Sequence, residues 1–294
     1  MNTGLLFAII SPFLSSISTI FKSAAVKALG PFAVLSFGSL LGAFLLIVYL
    51  FIKHKKFSLS HLKDNFRDFS LLILTRPIFG ELLFVFGLGL TLGVKAILFT
   101  KIEPYFVLFW QWILRKEKVT SGQLALLTIH IGGAILLSTG GNFTGINSTH
   151  IGDLLIILAM GLFSLSYFPA KRVAVKIGAV QTNSIMLLVS GLFFIPFAFV
   201  FSNSQAFDFF TKGWAYLVLS TIIFTVVGLT LWFVSLKSVK GWIVSALRSL
   251  GPIVGIPFAY FLFGEKLNMA QVTGAIIILS TSFLIAREHF KKPH

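Results

Sequence analysis

Apolar stretches without a single charge, each long enough to cross a lipid bilayer, recur from one end of this chain to the other. Residues 31–52, PFAVLSFGSLLGAFLLIVYLFI, are one of them. About 18 or more such residues, rising ~1.5 Å each as a helix, cross a ~30 Å hydrocarbon layer. A helix bonds its own backbone groups, as a segment surrounded by lipid must. With 56% hydrophobic and 11% charged residues and a mean hydropathy of +0.95, too few polar side chains remain to cover a soluble domain. The expectation is an all-α, polytopic membrane protein in contact with the lipid bilayer.

Ten transmembrane helices are expected, roughly at 3–21, 31–52, 69–90, 94–114, 121–139, 152–170, 181–201, 213–235, 241–263 and 268–286. The connections are short; the longest is the basic loop around His54 to Arg67. The first stretch lacks a small-residue cleavage pattern and is read as a retained span. There is no cysteine, which excludes disulfides and thiolate metal sites, and no cofactor or metal is expected. The net charge of +15 belongs to short loops rather than to a basic stripe with aromatic spacing, so no nucleic-acid partner is expected.

Those loop charges orient the chain. With a cytoplasmic N-terminus, the inner loops hold Lys53, Lys55, Lys56, Lys63, Arg67, Arg115, Lys116, Lys118, Lys171, Arg172, Lys176, Lys237, Lys240, Arg287, Lys291 and Lys292, 16 in all. The outer loops hold 5: Lys22, Lys27, Lys95, Lys212 and Lys266. Cytoplasmic loops carry the excess of Lys and Arg, so both termini are expected in the cytoplasm.

The chain also repeats itself at a constant offset of 148 residues. Gly4 aligns with Gly152, Gly30 with Gly178, Pro104 with Pro252, Glu117-Lys118 with Glu265-Lys266, and Gln123 with Gln271. Residues 1–140 and 148–288 are therefore expected to be two five-helix units. Five is odd, so the second unit must be inverted in the membrane, the usual construction of secondary transporters.

Ten spans in two repeats, each ending in a Pro, an apolar run, Glu-Lys and a Gln five residues on, resemble the EamA family of the drug/metabolite transporter superfamily. The matching segments run from Pro104 to Gln123 and from Pro252 to Gln271, followed by Gly132-Gly133 and Gly274. The first copy departs from the family's usual Gly-Glu by carrying Lys116 before Glu117. The resemblance implies the fold and a transport activity; members carry amino acids, other metabolites or amphiphilic cations. The motif glutamates are read as structural, since a carboxylate suits a helix N-terminus.

Intramembrane ionisable residues are costly and point to function. The set is Arg76, Glu81, Lys101, Glu103 and Arg248. Counting ~1.5 Å per residue puts Glu81 and Glu103 near the midplane, with Lys101 roughly 10 Å below the outer surface and Arg248 roughly 10 Å above the inner one. Arg76–Glu81 and Lys101–Glu103 lie five and two residues apart, poor spacings for a pair on one helix face. Arg248 and Lys101 are expected to line a central cavity, Arg248 as a hydrated charge whose loss would spare the fold. Trp110 and Trp232 are expected to wall it, and Trp214 and Trp242 to lie nearer the interfaces. Pro104 and Pro252, in mid-span, are expected to kink gating helices. Gly38-x₃-Gly42 and Gly89-x₃-Gly93 read as packing within the monomer, without deciding between monomer and dimer. His130 reads as packed; the sequons at Asn142 and Asn147 and the final Lys291-Lys292 carry no further weight.

The function these residues indicate is secondary transport of a small organic metabolite across the cell membrane, by export or exchange. Three buried cations against two carboxylates favour an amino acid or a related zwitterion or anion. A coupled proton or counter-substrate is the candidate driving partner, because no nucleotide-binding loop is present. Paired aspartates, a nucleophile elbow and metal-spaced His and Asp are missing, so an intramembrane enzyme is not expected. A lipid or amphiphile flippase, or a non-transporting scaffold, is the alternative. The charge count predicts that a cysteine placed at position 60 of this cysteine-free chain stays unlabelled when intact cells meet an impermeant thiol reagent. Labelling from outside would reverse the topology.

Overall fold

A computed structural model describes residues 3–90, 99–115, 118–143, 151–202, 204–251 and 268–290. Among these residues the chain is helical, with no strand. The first half comprises α1 (Thr3–Leu29), α2 (Pro31–Ile52) and the short α3 (Ser60–Asp64). A third span follows, made of α4 (Phe66–Ile73), a π-helical segment (Leu74–Ile78) and α5 (Phe79–Leu90), and then α6 (Glu103–Arg115) and α7 (Ser121–Thr139). The second half comprises α8 (Ile151–Ile177) and α9 (Ala179–Phe201), then α10 (Lys212–Ser220), a π segment (Thr221–Gly228) and α11 (Leu229–Ser238). It closes with α12 (Gly241–Leu247), a 3₁₀ turn (Arg248–Leu250) and α13 (Met269–Phe290). Pro252, Gly93, Lys95, Lys116-Glu117, Glu265-Lys266, Asn147 and Lys291-Lys292 lie outside the described residues.

The offset of 148 survives in the backbone. α1 and α8 both have 27 residues, and each meets its successor at a glycine, Gly30 with φ 86° and Gly178 with φ 89°. Such angles are strained for any residue with a Cβ. Spans five and ten begin alike as well. Thr120 and Gln123 bond reciprocally, and so do Asn268 and Gln271, side chain to backbone in both directions. The recurring Gln is thus the third residue of a capping box, which satisfies amide groups that a helix start leaves open.

α1 and α8 run past the expected ends at 21 and 170. Hydropathy marks where the hydrocarbon stops, whereas Lys and Arg propagate a helix readily beyond it. Lys22 and Lys27 therefore belong to α1 rather than to an outer loop. Arg172 and Lys176, at the end of α8, hold Asp68 at 2.6 Å and Asn65 at 3.0 Å.

The two halves pack into each other. α2 lies on α9, α7 on α13, α1 on the α10–α11 span, and α8 on α5. Exchanging the halves maps this set of contacts onto itself. The pairing is antiparallel: Ser36 donates to the Gly191 carbonyl at 3.0 Å, while Gly42 further along α2 faces Leu187, earlier in α9. On the other side His130 meets Thr281, and Gly133 and Leu137 meet residues 277 and 274. Helices that pair antiparallel with their own repeat image belong to inverted units, and the fold is two inverted five-helix repeats. Five segments, Pro31–Ile52, Phe66–Gly87, Ile151–Ile177, Ala179–Phe201 and Lys212–Ser238, are long and apolar enough among the described residues to cross a membrane.

Contact is closest where α7 meets α13. A Cβ on Gly274 would run into the Leu137 and Gly133 backbones, which cannot step aside, whereas one on Gly132 meets nothing within 4 Å. Gly274→Ala should therefore cost about 1–3 kcal/mol and lower the unfolding temperature in detergent. Gly132→Ala should leave it unchanged or raise it, by up to about 1 kcal/mol of helix propensity. Equal behaviour of the two variants would contradict this packing.

Candidate functional site

In their described residues the fourth and ninth spans each depart from α geometry. α6 starts at Glu103, after a turn at Lys101 and Ile102, while α12 ends in the 3₁₀ turn at Arg248. Pro104 is accordingly the second residue of a new helix, where its missing N–H would have been unbonded anyway. The departure from α geometry at Lys101 and Ile102, after helical residues 99–100, falls immediately before Pro104, where the sequence predicts a kink. Arg248 and Glu103 stand three positions apart in the repeat register (Arg248 aligns with Thr100), so the two breaks face each other. One guanidinium nitrogen, Nη1, donates to both Glu103 oxygens, at 2.9 and 2.7 Å. The ends suit these charges, a carboxylate at a helix start and a cation at a helix end.

Arg76 sits in the π segment of the third span and is 6% exposed. Its Nη1 donates to Ser166 Oγ at 2.9 Å, and its guanidinium lies over the Trp232 ring at 3.9 Å and near Phe163 at 5.4 Å. A buried guanidinium stacked on an indole is stabilised by the ring's negative face. Among the described residues no carboxylate lies within ion-pair distance of it. Glu81 instead pairs with Lys22 of α1 at 2.7 Å. These groups line a cavity among α1, α2, α9 and the two π-containing spans, with Ser18, Ser190 and Thr221 adding hydroxyls. Space for the centres of water-sized molecules in it amounts to about 70 Å³.

The sequence-predicted residues thus divide. Arg76, Glu81 and Trp232 come together at or beside the cavity, while Glu103 and Arg248 join at the helix breaks. Lys101 is buried in the turn beside that pair. Trp110 is spent on helix packing: its Nε1 donates to the Gly161 carbonyl at 3.0 Å, across α6 and α8. Trp242 is 1% exposed in the protein core rather than at an interface, because α12 is covered on all sides. Both nitrogens of His130 are bonded, to Thr281 and to the Ala246 carbonyl. Gly38 and Gly42 pack on Leu217, Thr221, Leu187 and Thr225 of the same chain. Sequence reasoning missed Lys22 and Ser166, and the two π segments. Pro77 directly after Arg76, inside an apolar run, was the available signal for a local departure from α geometry.

Antiparallel repeats around a polar cavity lined by charges fit a multi-pass membrane transporter. The chain belongs to the EamA-like transporter family, whose pattern matches residues 2–139 and again 150–287. It is 23% identical to "Uncharacterized transporter YetK" of Bacillus subtilis over 254 residues, 83% of this chain and 75% of that one. It is also 23% identical to the "Probable amino-acid metabolite efflux pump" of Salmonella typhimurium, over 70% of this chain and 72% of the other. A protein of known crystal structure shares the fold with a TM-score of 0.81 at 15% identity, covering 99% of this chain and 100% of its own.

The Arg248–Glu103 pair alters what Arg248 is expected to do. The Glu103 side chain is 3% exposed and that of Arg248 29%. Removing the cation strands a buried carboxylate, which costs about 3–5 kcal/mol for a fully buried pair and less here because Arg248 is partly solvated. Arg248→Gln should therefore destabilise the protein, and the double variant Arg248→Gln/Glu103→Gln should recover more than half of that loss. An unchanged unfolding temperature for Arg248→Gln would return it to the role of a hydrated cavity charge.

Proposed function

We propose that this protein exports or exchanges a small carboxylate-bearing metabolite, an amino acid or a related zwitterion or anion, across the cell membrane. The carrying observation is Arg76, a buried cation at the cavity that bonds a serine and an indole instead of a carboxylate. Its charge is the complement of a solute carboxylate. Glu81, at the same cavity, offers a carboxylate to an ammonium group, and Lys22 balances it when the site is empty. A zwitterion satisfies both ends, whereas a simple organic cation would meet Arg76 with like charge.

Alternating access follows in this reading from exchanging the conformations of two inverted halves, with both termini cytoplasmic. The broken fourth and ninth spans and their Arg248–Glu103 link are the moving parts, with Lys101 beside them. Pro252 is assigned the same part as Pro104 by the repeat register. A proton or a counter-substrate drives the cycle. The Salmonella relative's name as an amino-acid efflux pump supports the solute class.

The test is a thermal-shift screen of the purified protein against each protein amino acid and simple carboxylates, followed by counterflow in proteoliposomes. Arg76→Gln should weaken the stabilising solute by about 1.5–3 kcal/mol, roughly 10- to 150-fold. Stabilisation by phospholipids alone, with no effect of soluble metabolites, would favour the flippase reading instead.

A further inference from the structure

We propose that a groove between α6 and α7 binds an anionic phospholipid, with an acyl chain along the groove and the phosphate on Lys118. The site is separate from the cavity and holds whichever solute the cavity takes. Tyr105, Leu108, Phe109 and Trp112 follow one another at spacings of three and four, so they form one stripe of α6. Leu124 of α7 is the facing wall, and Lys118 in the connection closes one end. The stripe is roughly 10 Å long at ~1.5 Å per residue. Space for the centres of water-sized molecules in this groove amounts to about 480 Å³, against about 70 Å³ in the cavity.

The groove has a floor and a rim. Leu108 at its base is 2% exposed, while Phe109, Trp112 and Leu124 along its edges are 45%, 58% and 42% exposed. Each helix takes its main support elsewhere, α6 from α8 and α12, and α7 from α13. A hydroxyl bond between Tyr105 and Thr128, at 2.7 Å, joins the two at the end away from Lys118. Water does not suit the trough between, because an ordered water needs several polar partners. A second helix does not suit it either, since its lining holds no small residue to admit another backbone. An acyl chain does suit it, and gains with every methylene it buries. Lys118 is exposed where the apolar run ends, and an exposed lysine at the edge of the hydrocarbon attracts a negatively charged headgroup. Trp112, between floor and lysine, has the amphipathic ring that settles at headgroup level. On the topology expected from the loop charges, this end lies in the cytoplasmic leaflet, whose anionic lipids make its surface negative. The charge of the rim and the apolar length of the groove thus select one occupant, an anionic phospholipid.

The test uses the purified full chain in phosphatidylcholine nanodiscs. Phosphatidylglycerol with brominated acyl chains is added at low mole fraction, and tryptophan quenching reports chains in contact with an indole. Phosphatidylcholine with the same brominated chains is the reference. Wild type should prefer phosphatidylglycerol by about 5-fold, the pull of one lysine on an anionic lipid. Lys118→Gln should abolish that preference and Lys118→Arg should keep it. Trp112→Phe should remove the quenching that distinguishes the two lipids, because the groove then holds no indole. Lys237→Gln, at another exposed lysine near the end of α11, should leave the preference intact. Equal quenching by the two lipids in wild type overturns the proposal. So does a preference that survives Lys118→Gln or Trp112→Phe, which would put the lipid elsewhere. Equal losses in Lys118→Gln and Lys237→Gln overturn it too, since general surface charge would then account for the preference. None of these readings involves a transported solute, so the groove and the cavity stand or fall separately.

Discussion

A carboxylate buried at the start of a half-helix is the constraint around which this bundle is arranged. Glu103 is nearly inaccessible, and an ion in that setting must be paired and bonded or the helix start cannot remain where it is. Its partner comes from the other repeat, 145 residues away, at the end of another interrupted helix. The link therefore ties together the two places where the backbone is least regular. Interrupted helices are tolerated at membrane depth only where protein or water covers the open amide and carbonyl groups. Here both breaks lie within the protein, with Lys101, Glu103, Ser249 and Leu250 all buried.

Around this point the packing is made almost entirely between halves. α2 against α9 and α7 against α13 are each an element against its own repeat image, and they flank the bundle on two sides. Small residues allow the close approach, since lipid provides no hydrophobic drive for one helix to seek another. Between these flanks the π-containing spans face α1 and α8, and the cavity opens among them. Charge is thus concentrated between α1 and the third span, where Lys22, Arg76 and Glu81 line the cavity.

Much of this was legible in the sequence, and for a physical reason. Hydrocarbon thickness fixes helix length, and a gap-free repeat fixes the relation of the halves, so span count and fold class followed from periodicity. Arg76, Glu81, Glu103, Lys101 and Arg248 stood out because an ionisable residue in an apolar run is conspicuous. Their partners did not, since Lys22 and Glu81 lie 59 positions apart and only the packing brings them together. Lys22 was hidden further by the difference between the edge of the hydrocarbon and the end of a helix. Pro104 marked where the fourth span departs from α geometry, because a proline cannot donate to the helix ladder.

The π segments carry a consequence of another kind. A π turn accommodates one residue more than an α turn of the same helix, and in protein history such a turn records an insertion. Both third spans contain one, at 74–78 and 221–228, overlapping once the repeat offset is applied. Had a single copy gained the extra residue, every alignment downstream would have moved to 147 or 149. Yet Gln123 and Gln271 still stand 148 apart, as Gly4 and Gly152 do upstream. The widened turn therefore sits at one register of both repeats without disturbing their alignment. Arginine and phenylalanine occupy the equivalent positions 76 and 224 within it, so one backbone feature serves a charged residue in one half and an apolar one in the other.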